Sequence, residues 1–327
     1  MNNSFCVLPF YGAEFSPDGK KGPCCLLPDD YNLELIKSDM LDGKRNVSCN
    51  ACWKLEDRGI ESDRQLKNKA LDFYADKDIR NIVTDCKQNK NNMQIVKFYT
   101  SNLCNGTCVT CNSDNSTAWA SLSKRTIALT KISTDIYRDI DFSELKMMTF
   151  VGGEPLLEKH NFAILERLIT VGNTDCFVSV VTNGSITLNQ GQKEILSLFK
   201  NLNICLSIDG VGKVFEYLRY PLQWDVLLAN LNFFRSITKN VSASYTISNL
   251  NSLYYKETVK WFAEQGINYN HNIVTCPSYF SPTAMPDSDN DLFLTACKEI
   301  YHQDQLKGID IKDYLPEFYK LMPPQSF

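Results

Sequence analysis

Three cysteines lie close together in the segment SNLCNGTCVTC, at Cys104, Cys108 and Cys111. They directly follow the β-rich run MQIVKFYT, and α/β folds place their sites at the carboxyl ends of such strands. A closed structural zinc site needs four ligands, whereas a [4Fe–4S] cluster held by three cysteines leaves one iron open for a further ligand. The spacing therefore favours an iron–sulfur cluster with an open iron.

A second group of cysteines lies near the start of the chain, at Cys6, Cys24, Cys25, Cys49 and Cys52. One [4Fe–4S] cluster needs four thiolates, so Cys6, Cys24, Cys49 and Cys52 suffice, with Cys25 as an alternative to Cys24. The sequence predicts an auxiliary cluster here. Structural zinc and free thiols are the alternatives.

Composition and charge limit the classes of function that these cysteines can serve. The chain has 327 residues, 34 Lys and Arg against 38 Asp and Glu, and a formal net charge of −4, as in ordinary soluble globular proteins. This charge argues against phosphate-driven nucleic-acid binding. No run approaches the roughly 18 apolar residues of a membrane span, and we expect a cytoplasmic protein without a membrane partner. Clustered cysteines in that reducing compartment indicate metal or redox chemistry rather than disulfides.

The elements that must position the cysteines change in character along the chain. Residues 1–90 are rich in turn signals, with one predicted helix from about Cys52 to Lys69, and we expect a bound metal to hold the first fifty residues together. After the polar linker KQNKNN, six short β-rich runs alternate with helical stretches. The runs are MQIVKFYT, MMTFV, CFVSVVT, NICLSI, VSASYTIS and YNHNIVT. This order predicts an α/β fold with a parallel sheet or partial barrel; a half-exposed antiparallel sheet is the alternative.

Alternation within the strands indicates what each face of the sheet contacts. In NICLSIDG, the apolar Ile204, Leu206 and Ile208 share one face, and Cys205, Ser207 and Asp209 share the other. The run VSASYTIS shows the same division. We expect helices to cover the apolar face and the polar side chains to converge on a wet interior that binds a ligand.

The C-x3-C-x2-C spacing after a first strand resembles the radical S-adenosylmethionine (radical SAM) enzymes, and the resemblance extends over about residues 91–275. The second strand ends in Gly152, Gly153, Glu154 and Pro155, similar to the family motif that holds the amino group of the SAM methionine. The resemblance implies a partial (β/α)6 barrel of TIM-like type. Two glycines would let the backbone approach a ligand, and a carboxylate pairs with an ammonium.

Further SAM-pocket residues follow from the same resemblance at the ends of the later strands. They are Asn183 after the third strand, Ser207, Asp209 and Arg219 at and after the fourth, and Ser248 and Asn251 after the fifth. Arg219 is the candidate partner for the SAM carboxylate. Family members often carry an aromatic residue before the third cysteine, against the adenine, and this chain has Thr110 there instead.

The cysteines of the first 90 residues resemble the auxiliary-cluster domains called twitch and SPASM, placed ahead of the barrel. The resemblance implies three parts: a cysteine-rich domain and linker at 1–90, the barrel at 91–275, and a C-terminal extension at 276–327 that packs on the barrel. It also implies two [4Fe–4S] clusters, SAM, and an electron donor such as flavodoxin or ferredoxin.

The implied activity is reductive cleavage of SAM to a 5′-deoxyadenosyl radical that abstracts a hydrogen atom from the substrate. The resemblance favours a peptide or protein side chain as substrate, and a small polar metabolite (sugar, nucleotide or amino acid) is the alternative. A non-enzymatic iron–sulfur or zinc protein is the interpretation from a different class.

The scattered cysteines divide into two kinds. Four of them read as small buried hydrophobic residues: Cys86, Cys176, Cys205 and Cys297. Cys276 follows the sixth predicted strand and shares strand parity with Asn270 and Asn272. Because a thiol S–H bond is weak enough to return a hydrogen atom to a carbon radical, Cys276 is a candidate catalytic residue. A buried small residue is the alternative.

Overall fold

The computed structural model of the chain describes residues 4–17, 20–75, 79–87, 92–126, 140–286 and 291–323. Its strands are β1 Gly12–Phe15, β2 Lys21–Gly22, β3 Ile95–Tyr99, β4 Met147–Val151, β5 Phe177–Thr182, β6 Leu202–Ser207, β7 Asn240–Ile247 and β8 Asn268–Ile273. They form one sheet in the order β2-β1-β3-β4-β5-β6-β7-β8, and every neighbouring pair is parallel except β1 with β2. The predicted α/β class and its six alternating strands, β3 to β8, are confirmed.

Helices connect the parallel strands, as crossovers of this kind require. The helices are α1 Leu8–Tyr11, α2 Leu33–Leu41, α3 Asn50–Glu56, α4 Asp63–Ala75, α5 Ile79–Lys87, α6 Thr117–Leu122, α7 Lys159–Thr170, α8 Gln190–Ser197, α9 Lys213–Leu218, α10 Trp224–Ile237, α11 Tyr255–Gln265, α12 Asp291–Lys307 and α13 Pro316–Tyr319. In the described ranges, no helix is long and apolar enough to cross a membrane.

The two faces of the sheet differ as the strand alternation predicts. Phe15, Phe98 and Phe150 are in register on β1, β3 and β4, are buried, and stack on one another within the main core beneath helices α7, α8, α10 and α11. The opposite face carries half-buried polar side chains. On that face Asn203 donates to Ser179 Oγ at 2.9 Å, which links strands β5 and β6.

The N-terminal segment is held by more than its cysteines, so the expectation that metal alone organises it is wrong. Strand β1 pairs in parallel with β3, which makes the segment part of the main sheet. A separate apolar cluster joins α1 and the residues before it to α2, α4 and α5, with Phe5, Val7, Ile36 and Ile82 fully buried. These apolar residues are spread over short elements, so no periodic pattern marks them in the sequence.

The single helix predicted from Cys52 to Lys69 is two helices, α3 and α4. The chain turns at Gly59, whose φ of +74° is a left-handed conformation that glycine adopts without strain. Arg64 at the start of α4 then forms a buried ion pair with Glu56 at the end of α3, at 2.7 Å. The two helices are thus fixed against each other.

The C-terminal helices α12 and α13 pack against α9 in a second apolar cluster. Phe293 and Ile300 of α12 and Phe318 of α13 are buried there beside Val109, which lies within the cysteine segment. The last part of the chain therefore contacts the loop that carries the cysteine triplet.

Candidate functional site

The loop that carries Cys104, Cys108 and Cys111 follows strand β3 and is fixed to the segment after α9. The Thr107 amide donates to the Tyr220 carbonyl at 2.6 Å, and the Val109 amide donates to the Leu218 carbonyl at 2.8 Å. These two bonds flank Arg219 in the chain. The backbone itself therefore brings Arg219 beside the cysteine triplet.

The three thiols share a partly buried environment. Burial is the main influence on each of them and raises the pKa of Cys104 to about 11 and that of Cys111 to about 12. Burial also raises the pKa of Cys108, against the attraction of the Arg219 guanidinium. A Cβ on Gly106 would lie 3.4 Å from Cys108 Sγ and 3.9 Å from Cys104 Sγ, so the glycine keeps the space between these two thiols open.

Arg219 is held in place by Asp209, the residue two positions beyond strand β6. Its guanidinium forms a buried ion pair with Asp209 Oδ2 at 2.8 Å, and Asp209 Oδ1 accepts a hydrogen bond from the Thr246 amide at 2.9 Å. Burial lowers the pKa of Arg219, but attraction to Asp209 and then to Cys108 outweighs this and raises it overall. Arg219 Nε is buried and has no hydrogen-bond partner among the described residues. The arginine thus presents an unused donor in the neighbourhood of the thiols, which suits an anionic ligand.

The two glycines that end strand β4 serve a close backbone contact. The Gly153 amide donates to the Ser101 carbonyl at 2.9 Å, and a Cβ on Gly153 would lie only 2.2 Å from the Leu103 carbonyl oxygen. Gly152 has φ of +126°, and its Cβ would lie 2.8 Å from the Ser101 oxygen. These glycines let the end of β4 pack directly on the segment before Cys104, in addition to any room they leave for a ligand.

Glu154 is fully buried, and the protein uses most of its hydrogen-bonding capacity. Its Oε1 accepts from the Leu156 amide at 3.0 Å and from Thr182 Oγ1 at 2.6 Å, and its Oε2 accepts from the Asn183 amide at 2.7 Å. Burial raises the pKa of this carboxyl group, against the effect of these donors. A carboxylate has about four lone-pair positions, so about one remains for a cationic group. Pro155, which follows, is buried in the same turn.

The predicted asparagines mainly position the loops. Asn183 donates to Asn105 Oδ1 of the cysteine loop at 2.8 Å. Asn251 donates to the carbonyls of Asp209 and Thr246, both at 2.8 Å, and accepts from the Ser248 amide at 2.8 Å. Both N–H groups of the Asn251 amide are therefore used to join the ends of β6 and β7.

Ser207 ends strand β6 on the polar face of the sheet. It is half-buried and lies in register with Ser244 of β7. Ser244 accepts a hydrogen bond from Asn272 of β8 at 2.6 Å, so a polar surface continues from β6 to β8. Ser207 is therefore partly accessible to a ligand on this face.

The structure gathers four of the five N-terminal cysteines. Cys6, Cys24, Cys49 and Cys52 line one small apolar pocket, together with Leu8 and Arg64 among others. Burial raises the pKa of Cys6 to about 12, and negative charge on Cys52 and Cys49 adds to this effect. The thiols of Cys6, Cys49 and Cys52 therefore lie close enough to influence one another electrostatically.

Cys25 does not line the four-cysteine pocket; it lines a second, larger cavity, which Cys24 borders as well. Its Sγ lies 3.2 Å from Lys97 Nζ, and Lys97 also pairs with Glu14 at 3.3 Å. These three residues and Cys24 line a cavity of about 570 Å³ over β1, β3 and β4. Tyr99 lines the same cavity.

Tyr99 also connects this cavity with the cysteine triplet. Burial, together with negative charge at Cys111 and Cys104, raises the pKa of Tyr99 to about 12. The cavity therefore borders Cys24 of the N-terminal group on one side and the neighbourhood of the triplet on the other.

Cys276 is exposed, so its interpretation as a buried small residue is wrong. It lies beyond the end of β8 and lines a cavity of about 460 Å³ with Thr110, Cys111 and Arg125 among others. Among the other single cysteines, the predicted burial is confirmed for Cys86, Cys176 and Cys297. Cys205 is half-buried.

Sequence reasoning missed several residues that hold the cysteine loop. Trp119 Nε1 donates to the Cys108 carbonyl at 2.9 Å, and Gln303 of α12 donates to the Val109 carbonyl at 3.2 Å. Gln303 is almost 200 residues from the loop in sequence, and no local pattern marks such a contact.

The residues present fit an iron–sulfur cluster. Within the described part of the chain, no three Cys, His, Asp or Glu side chains converge as ligands of one metal ion. The cysteines of a [4Fe–4S] cluster ligate different irons, and soft thiolates are its usual ligands. Three partly buried thiols, the space at Gly106 and the unused Arg219 Nε provide such a donor set with an adjacent anion site.

Comparison with known families supports the iron–sulfur assignment. Residues 93–217 match the family model described as a 4Fe-4S single cluster domain. This range contains the cysteine triplet, which agrees with an iron–sulfur cluster in this part of the chain. No curated protein sequence matches the chain.

Several solved structures are similar to the chain at low sequence identity. Native anSMEcpe with bound AdoMet is 16% identical with a TM-score of 0.43, over 66% of this chain and 62% of that one. SuiB of Streptococcus suis bound to its precursor peptide SuiA is 15% identical with a TM-score of 0.46, over 91% and 69%. A radical SAM methyltransferase from Sphaerobacter thermophilus is 16% identical with a TM-score of 0.29, over 51% and 50%. The matched region spans about three fifths of the anSMEcpe chain.

The buried ion pair gives a prediction for stability. Asp209→Asn should lower the free energy of unfolding by about 3–5 kcal/mol, because it leaves the Arg219 charge buried without its partner. Urea denaturation of the two proteins measures this. The control is Asp310→Asn, which breaks a largely exposed pair with Lys312 and should unfold near the wild-type urea concentration. Equal effects of the two substitutions would contradict the importance of the buried pair.

Proposed function

We propose that the chain is a radical SAM enzyme whose cluster is held by Cys104, Cys108 and Cys111. The observation that carries this proposal is the buried, unpartnered Nε of Arg219 beside the three thiols. A cluster held by these three thiols would supply the electron for reductive cleavage of bound SAM, and the resulting 5′-deoxyadenosyl radical would abstract a hydrogen atom from the substrate. The protein binds and orients these groups and excludes water.

The described contacts suggest a role for each pocket residue. Arg219 would bind the SAM carboxylate with its unused donor, and Asp209 would hold the guanidinium in the required orientation. Glu154 would accept the SAM ammonium at its remaining lone pair. Asn183 and Asn251 would act as positioning residues, because their side chains hold the cysteine loop and the ends of the strands.

The cavity over β1, β3 and β4 is the proposed substrate site. Its volume of about 570 Å³ lies within the ~300–1,000 Å³ range of ligand pockets. Its lining includes Cys24, the exposed Cys25, Lys97 and Glu14. Tyr99, which also lines it, is electrostatically influenced by Cys111 and Cys104 of the triplet. We favour a peptide or protein side chain as substrate, as in the SuiB structure that contains a precursor peptide. A small polar metabolite is the second candidate.

The four cysteines of the N-terminal pocket would hold a second [4Fe–4S] cluster. Cys6, Cys24, Cys49 and Cys52 supply the four thiolates that such a cluster needs. Because Cys24 also lines the proposed substrate cavity, this cluster would lie close enough to exchange an electron with the substrate or to bind it. Reducing equivalents would come from a flavodoxin or ferredoxin.

A non-enzymatic electron carrier is the rival interpretation. An electron carrier would need neither the unpartnered Nε of Arg219 beside the three cysteines nor the remaining hydrogen-bond acceptor position of the buried Glu154 carboxylate. These groups favour an enzyme that binds a small zwitterion at the cluster.

Release of 5′-deoxyadenosine tests the proposed chemistry. The reconstituted, reduced protein should release it from SAM in an anaerobic assay followed by chromatography. Cys108→Ala should lose this activity because a cluster ligand is missing. Cys176→Ala, at a buried cysteine within the main core, should retain it. Full activity of the Cys108 variant would show that the cluster is not bound at the triplet.

The iron content tests the second cluster. Cys24→Ala should lower iron from about eight to about four atoms per chain. The neighbouring Cys25→Ala should leave it near eight, because Cys25 faces Lys97 rather than the four-cysteine pocket. Iron and protein are measured after anaerobic reconstitution and desalting. Equal iron in the two variants would refute this ligand set.

A further inference from the structure

Lys307, the last residue of helix α12, carries a buried charge that the proposed chemistry does not use. It is 7% exposed, and its ammonium donates to Gln303 Oε1 at 3.1 Å. Among the described residues, no carboxylate forms an ion pair with it; its other contact is the ring of Trp119, 4.9 Å from Nζ to the ring centre. A buried cation without a contacting anion is costly unless a nearby negative charge balances it.

The contacts of Lys307 lead directly to the cysteine loop. Trp119, beneath the ammonium, donates its indole N–H to the Cys108 carbonyl at 2.9 Å. Gln303, which accepts from Lys307, donates to the Val109 carbonyl at 3.2 Å. The side chains of Trp119 and Gln303 thus fix the position of the ammonium relative to the backbone of the cysteine loop.

Electrostatics agree with this geometry. Burial lowers the pKa of Lys307 to about 8, and attraction to Cys108 is the largest effect that opposes burial, ahead of Asp304 and Glu299. Asp304 binds Tyr217 and the Ile311 amide, and Glu299 accepts from Gln303. Negative charge on the Cys108 sulfur would therefore attract this cation more than Asp304 or Glu299 does.

An iron–sulfur cluster on three thiolates has a net negative charge, and reduction makes it more negative. A fixed cation nearby stabilises the reduced state more than the oxidised state, and so raises the reduction potential. The same cation gains the negative charge that its burial requires. The positive charge of Lys307 and the negative charge of the cluster would thus stabilise each other.

We propose that Lys307 is the countercharge of the cluster at Cys104, Cys108 and Cys111 and keeps its reduction potential high enough for the physiological donor to reduce it. Lys307 acts through the cluster as a positioning and tuning residue. The inference rests on the proposed function only for the presence of that cluster.

The test is a redox titration of the reconstituted full chain, followed by electron paramagnetic resonance. The signal that changes on addition of SAM identifies the cluster at the triplet. Its midpoint potential should become more negative in Lys307→Met, which keeps the shape but removes the charge, and should stay near wild type in Lys307→Arg. The control is Lys213→Met, at an exposed lysine that donates to the Asp313 carbonyl. An unchanged potential in Lys307→Met would overturn the proposal.

A second measurement separates this inference from the proposed function. In iron-free protein, Lys307→Met should melt at a higher temperature than wild type, because an unpaired buried charge is removed. Reconstitution should then raise the melting temperature of the variant less than that of wild type. A lower melting temperature of the iron-free variant would overturn the countercharge role. Wild-type protein that binds no iron at the triplet would instead overturn the proposed function.

Discussion

The buried ion pair between Asp209 and Arg219 is the interaction on which the arrangement of the site depends. Asp209 lies beyond the end of β6, and Arg219 follows α9, so the pair fixes the position of α9 on the sheet. The residues on either side of Arg219 then accept backbone hydrogen bonds from Thr107 and Val109 of the cysteine loop. The ion pair thus links the sheet to the end of helix α9, and the two backbone bonds link that segment to the triplet.

The second constraint is the balance of buried charge. Arg219 and Lys307 are buried cations near the three thiols, while Asp209 and Glu154 are buried carboxylates. Asp209 pairs with Arg219, but Lys307 has no contacting carboxylate among the described residues, and the protein donors of Glu154 do not use all of its capacity. The proposed cluster with a zwitterionic ligand would supply charges of both signs at this position. These charges would offset the free-energy cost of burying several ionised side chains in one region of the fold.

Local sequence patterns were sufficient to predict the six strands β3 to β8 and the two faces of the sheet, and to single out the cysteine triplet as a candidate site. Each of these depends on residues close together in the chain, such as the alternation in NICLSIDG or the spacing of Cys104, Cys108 and Cys111. Strand β1 could not be predicted because it has four residues, and its place in the sheet depends on pairing with β3 about 80 residues later. The sequence also could not predict that Cys24 lines the four-cysteine pocket while Cys25 does not, because these adjacent residues differ only in the direction of their side chains.

The proposal that SAM binds directly to the cluster at Cys104, Cys108 and Cys111 is tested most directly by a magnetic measurement. The reduced, reconstituted protein is mixed with SAM that carries ¹⁷O in its carboxylate, and the electron–nuclear double resonance spectrum of the cluster is recorded. The account predicts an ¹⁷O hyperfine coupling in wild-type protein and its loss or weakening in Arg219→Met at equal iron content. A cluster spectrum that is identical with and without labelled SAM would contradict the account.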